Sequence, residues 1–292
     1  MSQYQIADLE KLTGIKAHTI RIWEKRYNLI EPHRTPTNIR YYDDQQVKKL
    51  LNTSTLLAKG MKISKISALS DKEISEIISN YEGVESDDVV CSTYINDLMA
   101  SMLVYDEPAF DKAISSAINR FGMYNAMLKV IYPFLKKTGL LWAISQTMPV
   151  QEHFASCIIR KKLLSAIEGL PPATNNDKKF LLFLAPNEWH ELGLMFSDYM
   201  IKSKGYQTVY LGPHVPIENL NNVVAVAKPS HVLTFFITRQ EAEEYITLLQ
   251  QVLQEIAPSD LIIVGSGSFK IPKDIKKAIF INSPNELLNF LN

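Results

Sequence analysis

The last third of the chain alternates between two hydrophobic periods, and no other feature restricts its fold as much. Five short apolar runs, FLLFLA (180–185), TVYLG (208–212), HVLTFF (231–236), DLIIVG (260–265) and AIFIN (278–282), have the length of strands. Between them lie helical patterns such as ENLNNVVAVAK (218–228) and AEEYITLLQQVLQEIA (242–257). Strands that alternate with helices predict a doubly wound parallel sheet over residues 180–292, covered on both faces. Such sheets bind ligands beyond the carboxyl ends of their strands, so the loops after the runs are the places to look for a site.

Upstream the period is helical throughout. LPPATNNDKK predicts a linker over 171–179. Residues 92–170 contain four amphipathic stretches with short joins, which predict an antiparallel four-helix bundle. Residues 76–91 read as a connecting helix and an acidic connector. The first 75 residues are short helices and turns. IADLEKLTG ends at Gly14, and a second helix follows with Ile20, Trp23 and Tyr27 on one face and mostly basic residues around the rest. Two short helices joined by a glycine turn, the second one basic, form a helix-turn-helix pattern. EPHRTPTNIRYY is too rich in proline for a helix and predicts an extended loop or small hairpin. Asp43 or Asp44 then opens a helix that Gly60 stops.

Charge separates these parts. Residues 1–70 hold twelve Lys and Arg against six Asp and Glu, and the remainder holds nineteen against twenty-five. A basic head on a mildly acidic body predicts that the head meets a polyanion. The recognition helix and hairpin carry Lys16, His18, Thr19, Arg21, Lys25, Arg26, Arg34, Arg40 and Tyr41 as DNA-facing candidates. Lys16, His18, Thr19 and Arg21 sit where base edges are read, and the remaining cations suit phosphate. Core packing is the expected role of Trp23, Tyr42 and much of Tyr41. No apolar run approaches the ~20 residues of a membrane span, and the N-terminus has no apolar signal core, so a cytoplasmic protein without membrane contact is expected. Cys91 and Cys157 lack any CxxC spacing and read as small buried hydrophobes. Dinucleotide, Walker, HExxH and nucleophile-elbow motifs are all missing, which argues against an enzyme.

The segment IADLEKLTGIKAHTIRIWEKRYNLIEPHRTPTNIRYYDDQQVKKLLNTSTLLAKG resembles the winged helix-turn-helix domain of MerR-family transcription regulators. It contains T-I-R-x-W-E-x-R-Y in the recognition helix and R-x-P-x-N-x-R-Y-Y in the wing. That resemblance implies a double-stranded DNA operator as partner. After the first strand, Glu188-x-His190-x-x-Gly193 is similar to the loop of cobalamin-binding flavodoxin-like domains. Thr234 after the third strand and Gly265-Ser266-Gly267 after the fourth stand where those domains hold the nucleotide tail. The resemblance implies His190 as the lower axial cobalt ligand, Glu188 as its partner, and Gly193 as room for a close ligand. Glu188 replaces the family's usual Asp, and Thr234-Phe-Phe replaces its Ser-x-Leu. Trp142, followed after nine residues by Glu152-His153, is similar to the motif of light-responsive MerR repressors of the CarH and LitR type. There these residues cap the upper face of adenosylcobalamin, and the implied protein is a repressor whose oligomeric state, dimer or tetramer, follows the cofactor. Ala143 stands where the photoreceptor branch has a histidine. Two other readings are a MerR-type regulator that senses a different ligand or partner, and a corrinoid methyl-carrier module.

Overall fold

The computed structural model describes residues 3–80, 87–142, 149–236, 242–265 and 278–292. The chain divides into two compact units, Met1–Ile159 and Arg160–Asn292. No helix among the described residues is long and apolar enough to cross a membrane.

The first unit begins with α1 (Ile6–Thr13) and α2 (Ala17–Tyr27). Gly14 ends α1 at φ 74°, a backbone angle that glycine adopts without a Cβ penalty. Strands β1 (His33–Arg34) and β2 (Arg40–Tyr41) pair antiparallel as a small wing, and Tyr4 bridges to Tyr42 behind it. Asp43 starts α3 (Asp44–Ala58) with a reciprocal cap: its carboxylate accepts the Gln46 N–H at 2.9 Å while the Gln46 side chain accepts the Asp43 N–H. Leu56 of α3 packs with Ile66 of α4 (Ile63–Ile66) and Ile74 of α5 (Asp71–Asn80).

The bundle follows as α6 (Asp87–Leu103), α7 (Glu107–Ala126), a π-helical turn (Met127–Ile131) running into α8 (Tyr132–Trp142), and α9 (Pro149–Glu168). Gly122, at φ 73° and ψ 160°, kinks α7 where the pattern of apolar residues restarts. Within the bundle Phe110 meets both Phe134 and Phe154 edge to face. Helix α6 packs against α3 as well as α7, so the DNA-binding elements and the bundle share one core. Helix α6 starts five residues before the expected bundle boundary. Asp87 and Asp88, read as connector, form its first turn, where carboxylates suit the helix dipole. Cys91 is buried as expected, but Cys157 is exposed because it lies on α9 away from the packed Ala155, Ile158 and Ile159.

The second unit is a five-stranded parallel sheet in the order β4-β3-β5-β6-β7, made of β3 (Asn175–Phe183), β4 (Tyr206–Gly212), β5 (His231–Phe235), β6 (Asp260–Val264) and β7 (Ala278–Ile281). Strand β3 begins inside the expected linker. Asn175–Lys179 are polar because this end projects past the core, yet Asn175 and Lys179 still register with Tyr206 and Gln207 across an irregularity. One sheet face carries Leu181, Phe183, Val232, Leu261 and Ile263 and packs on α11 (Leu220–Ala227) and α12 (Ala242–Glu255). Helix α10 (Glu191–Ser203) contacts β3, β4 and β5, and α13 (Pro284–Leu291) packs beside it. Because β3 pairs with β4 on one side and β5 on the other, the winding reverses at β3. The loop after β3 and the end of β5 therefore lie together at the switch point, where this architecture opens a crevice.

Candidate functional site

Three places carry the residues singled out by the sequence. In the head, Lys16 is the N-cap of α2, but the turn holds it. Glu10 accepts the Ala17 N–H at 2.9 Å and pairs with the Lys16 ammonium at 2.8 Å. These contacts hold the Glu10 carboxyl below its ordinary range. His18, Arg21, Lys25 and Arg26 are exposed along α2, and Thr19 is half-buried beside His18. Arg34 donates to the Asn38 side chain at 2.7 Å and closes the wing tip, where Asn38 adopts φ 65°. Arg40 is exposed on β2. Tyr41 is half-buried against His33, with ring centroids 5.3 Å apart, while Trp23 and Tyr42 are buried. Sequence reasoning missed Glu24. Its carboxylate on α2 accepts the Tyr42 hydroxyl and lies 3.9 Å from Arg40, which ties the recognition helix to the wing. The W-E-x-R-Y string contained that residue but gave it no partner.

The second place is the loop between β3 and α10. Asn187, at φ 68°, turns the chain so that Glu188 points inward and is 4% exposed. One oxygen of Glu188 accepts the Trp189 N–H at 2.9 Å, the His190 N–H at 3.2 Å and the Nδ1 of His190. The imidazole is therefore clamped from one side. Its Nε2 has no hydrogen-bond partner among the described residues, and the ring remains 44% exposed. A carboxylate on Nδ1 fixes the proton there and leaves the Nε2 lone pair available. Trp189, 69% exposed, stands edge-on against His214 at 4.5 Å. His214 is held at φ 59° in the loop after β4.

At the neighbouring end of β5, Thr234 is fully buried and its hydroxyl has no partner among the described residues. Phe235 points to the opposite face, and a Cβ at Gly193 would stand 2.7 Å from its ring, so the glycine leaves room for this phenylalanine. At Gly265 a Cβ would stand 3.0 Å from the Phe236 carbonyl oxygen. Ser266 and Gly267 lie outside the described residues.

The third place is the bundle. Glu152 is half-buried in the first turn of α9 and accepts the Ser156 hydroxyl, and His153 is exposed. Trp142 is the last residue of α8, but its side chain and Ala143 lie outside the described residues. Deeper in the bundle, the Asn96 amide donates to Thr55 of α3 at 3.3 Å and accepts from Lys137 of α8 at 3.2 Å. Burial pushes the Lys137 amine down to about 8.

A recognition helix, a capped turn and a basic two-stranded wing define a winged helix-turn-helix domain. Residues 4–73 match the MerR HTH family regulatory protein family, and the chain carries that domain at its head. Over 268 residues it is 26% identical to the HTH-type transcriptional repressor CarH of Myxococcus xanthus, covering 91% of this chain and 89% of that one. It is 24% identical over 289 residues to the HTH-type transcriptional repressor CarA of the same organism, covering 94% and 90%. The solved monomethylamine corrinoid protein of Methanosarcina barkeri is 15% identical, with a TM-score of 0.48 over 69% of this chain and 94% of that one.

Proposed function

We propose that this chain is a DNA-binding transcription repressor governed by a corrinoid held on its parallel-sheet unit. The proposed parts are a DNA-binding domain over residues 1–75, a connector over 76–91, a capping bundle over 92–170, a linker over 171–179 and a cofactor domain over 180–292. The observation that carries this reading is the Glu188–His190 pair at the switch point of the sheet. Neutral imidazole is a good cobalt ligand, and a carboxylate on its far nitrogen is the usual orienting partner of a metal-bound histidine. The orphaned Thr234 hydroxyl is a second fit, because a polar cofactor tail could satisfy it. We assign Trp142, Glu152 and His153 to the upper face of the cofactor. The nucleotide tail is assigned to Thr234, Gly265, Ser266 and Gly267.

When bound in its adenosyl form, the corrinoid would supply a cobalt–carbon bond that light breaks. The protein's part is to hold the His190 ring in one orientation, to keep its proton on Nδ1 and to enclose the tail. Ala143 has no donor atom, so it takes no part as a ligand. Assembly into a dimer or tetramer in the dark would present several basic heads to one operator. Loss of that assembly would release the DNA, which makes the protein a switch biased by differential binding and not a catalyst.

The test is reconstitution with adenosylcobalamin in darkness, followed by absorption spectra and sizing before and after illumination. A coloured complex that changes oligomeric state in light, and whose cobalt spectrum shifts in His190→Ala, is the expected result. Failure to take up any cobalamin overturns the cofactor assignment. An unchanged spectrum in His190→Ala removes the ligand. Uptake without a response to light would instead favour a MerR-type regulator with another trigger.

A further inference from the structure

Helix α2 has an isoleucine on the wrong side. Its buried face is Ile20 and Trp23, with Tyr27 half-buried beside them. At about 100° per residue, Ile22 sits roughly 140–160° around the helix from Ile20 and Tyr27. It is 52% exposed. Four residues before it on the same face stands His18, and four after it Arg26, with Lys25 alongside. An apolar side chain thus occupies the middle of a polar, cationic surface. Ile39, 54% exposed between Asn38 and Arg40, is its counterpart on the wing.

A single exposed isoleucine is common on protein surfaces. Its placement is what matters here. A partner that satisfies this face must be anionic at its margins, to meet Arg26 and Lys25, and apolar at one spot in its centre. Duplex DNA in the major groove has that pattern, with phosphates flanking base edges and the 5-methyl group of thymine as the apolar spot. We infer that Ile22 is a base-reading residue that packs on a thymine methyl group, with His18 and Thr19 as its polar neighbours. This inference rests on the DNA-binding reading and adds the base that the helix selects.

The probe is duplex DNA selected from a randomised library by the full-length chain. Each thymine in the selected site is then replaced in turn by deoxyuridine, which lacks only the methyl group. Wild type is expected to lose about fourfold in affinity at one position per half-site, the factor that corresponds to burial of one methyl(ene) group. Ile22→Ala is expected to bind the thymine and uracil duplexes equally at that position, and Ile22→Val to retain part of the difference. If no deoxyuridine substitution affects wild type, or if Ile22→Ala discriminates as wild type does, the inference fails while DNA binding stands. If selection enriches no sequence, the DNA-binding reading itself fails and takes the inference with it.

Discussion

Replacing Thr234 by valine separates a residue kept for stability from one kept for a ligand. The side chain is fully buried, and its hydroxyl has no partner among the described residues. An unpaired buried hydroxyl costs on the order of 1–3 kcal/mol, and valine has nearly the same shape without that group. Thr234→Val is therefore expected to stabilise the cofactor-free protein by about 1–2 kcal/mol. For a unit of this size that corresponds to a rise in Tm of about 4–8 °C. Cobalamin affinity should move the other way. Loss of one hydrogen bond to the tail is worth about 1–1.4 kcal/mol, or roughly five- to tenfold in Kd. Thr234→Ser keeps the hydroxyl and loses a methyl group, so it should lower Tm while largely preserving affinity. Thermal unfolding with and without cobalamin, together with spectral titration, measures both effects. A valine variant that melts below wild type without cofactor refutes the reasoning, because the hydroxyl would then be satisfied within the fold. A variant that melts higher but binds cobalamin as wild type does would remove Thr234 from the site.

Other perturbations test other parts of the structure. Gly193→Ala should destabilise the second unit by about 1–3 kcal/mol, because its Cβ would stand 2.7 Å from the Phe235 ring. The cost should shrink in a Phe235→Leu background, and additive losses in a double-mutant cycle would contradict the proposed clash. Glu188→Ala should leave the imidazole unoriented and weaken cobalt ligation about 10- to 100-fold by titration. Equal affinity in that variant would show that the carboxylate does not act through the histidine. Burial pushes Asp97 of α6 up to about 7, with Lys59 and Lys112 pulling partly the other way. A raised carboxyl binds its proton more tightly in the folded state, so that contribution is full near pH 4 and is lost as pH rises through about 7. Asp97→Asn should flatten stability across this window in urea unfolding, and an unchanged slope would remove Asp97 as its source.

Periodicity was enough to reveal the architecture. All five strands of the sheet and the kink at Gly122 fall where the apolar pattern restarts, because each element must present a face to a core. The elements that were misread are those whose sequence is polar for local reasons. Asn175–Lys179 look like a linker although they extend β3, since a strand that overhangs its sheet has no apolar face to show. Asp87 and Asp88 look like a connector although they open α6, since a helix's first turn favours acids as much as a loop does. In the candidate site, spacing pointed to His190 and Glu188, a contact within one short loop. It could not reveal the pairing of Gly193 with Phe235, Glu24 with Tyr42 or Trp189 with His214, because each brings together side chains from separate elements.

The amide of Asn96 has a mechanical consequence. It donates to Thr55, on a helix that braces the DNA-binding head, and accepts from Lys137, on a helix that ends at Trp142. A hydrogen bond tolerates only a few tenths of an ångström before it weakens steeply. Both helices also pack against α6, the helix that carries Asn96. A shift of α8 along its axis would strain the Lys137–Asn96 bond, which together with Asn96–Thr55 links the two helices. The head is geared to the bundle, and one carboxamide is the tooth.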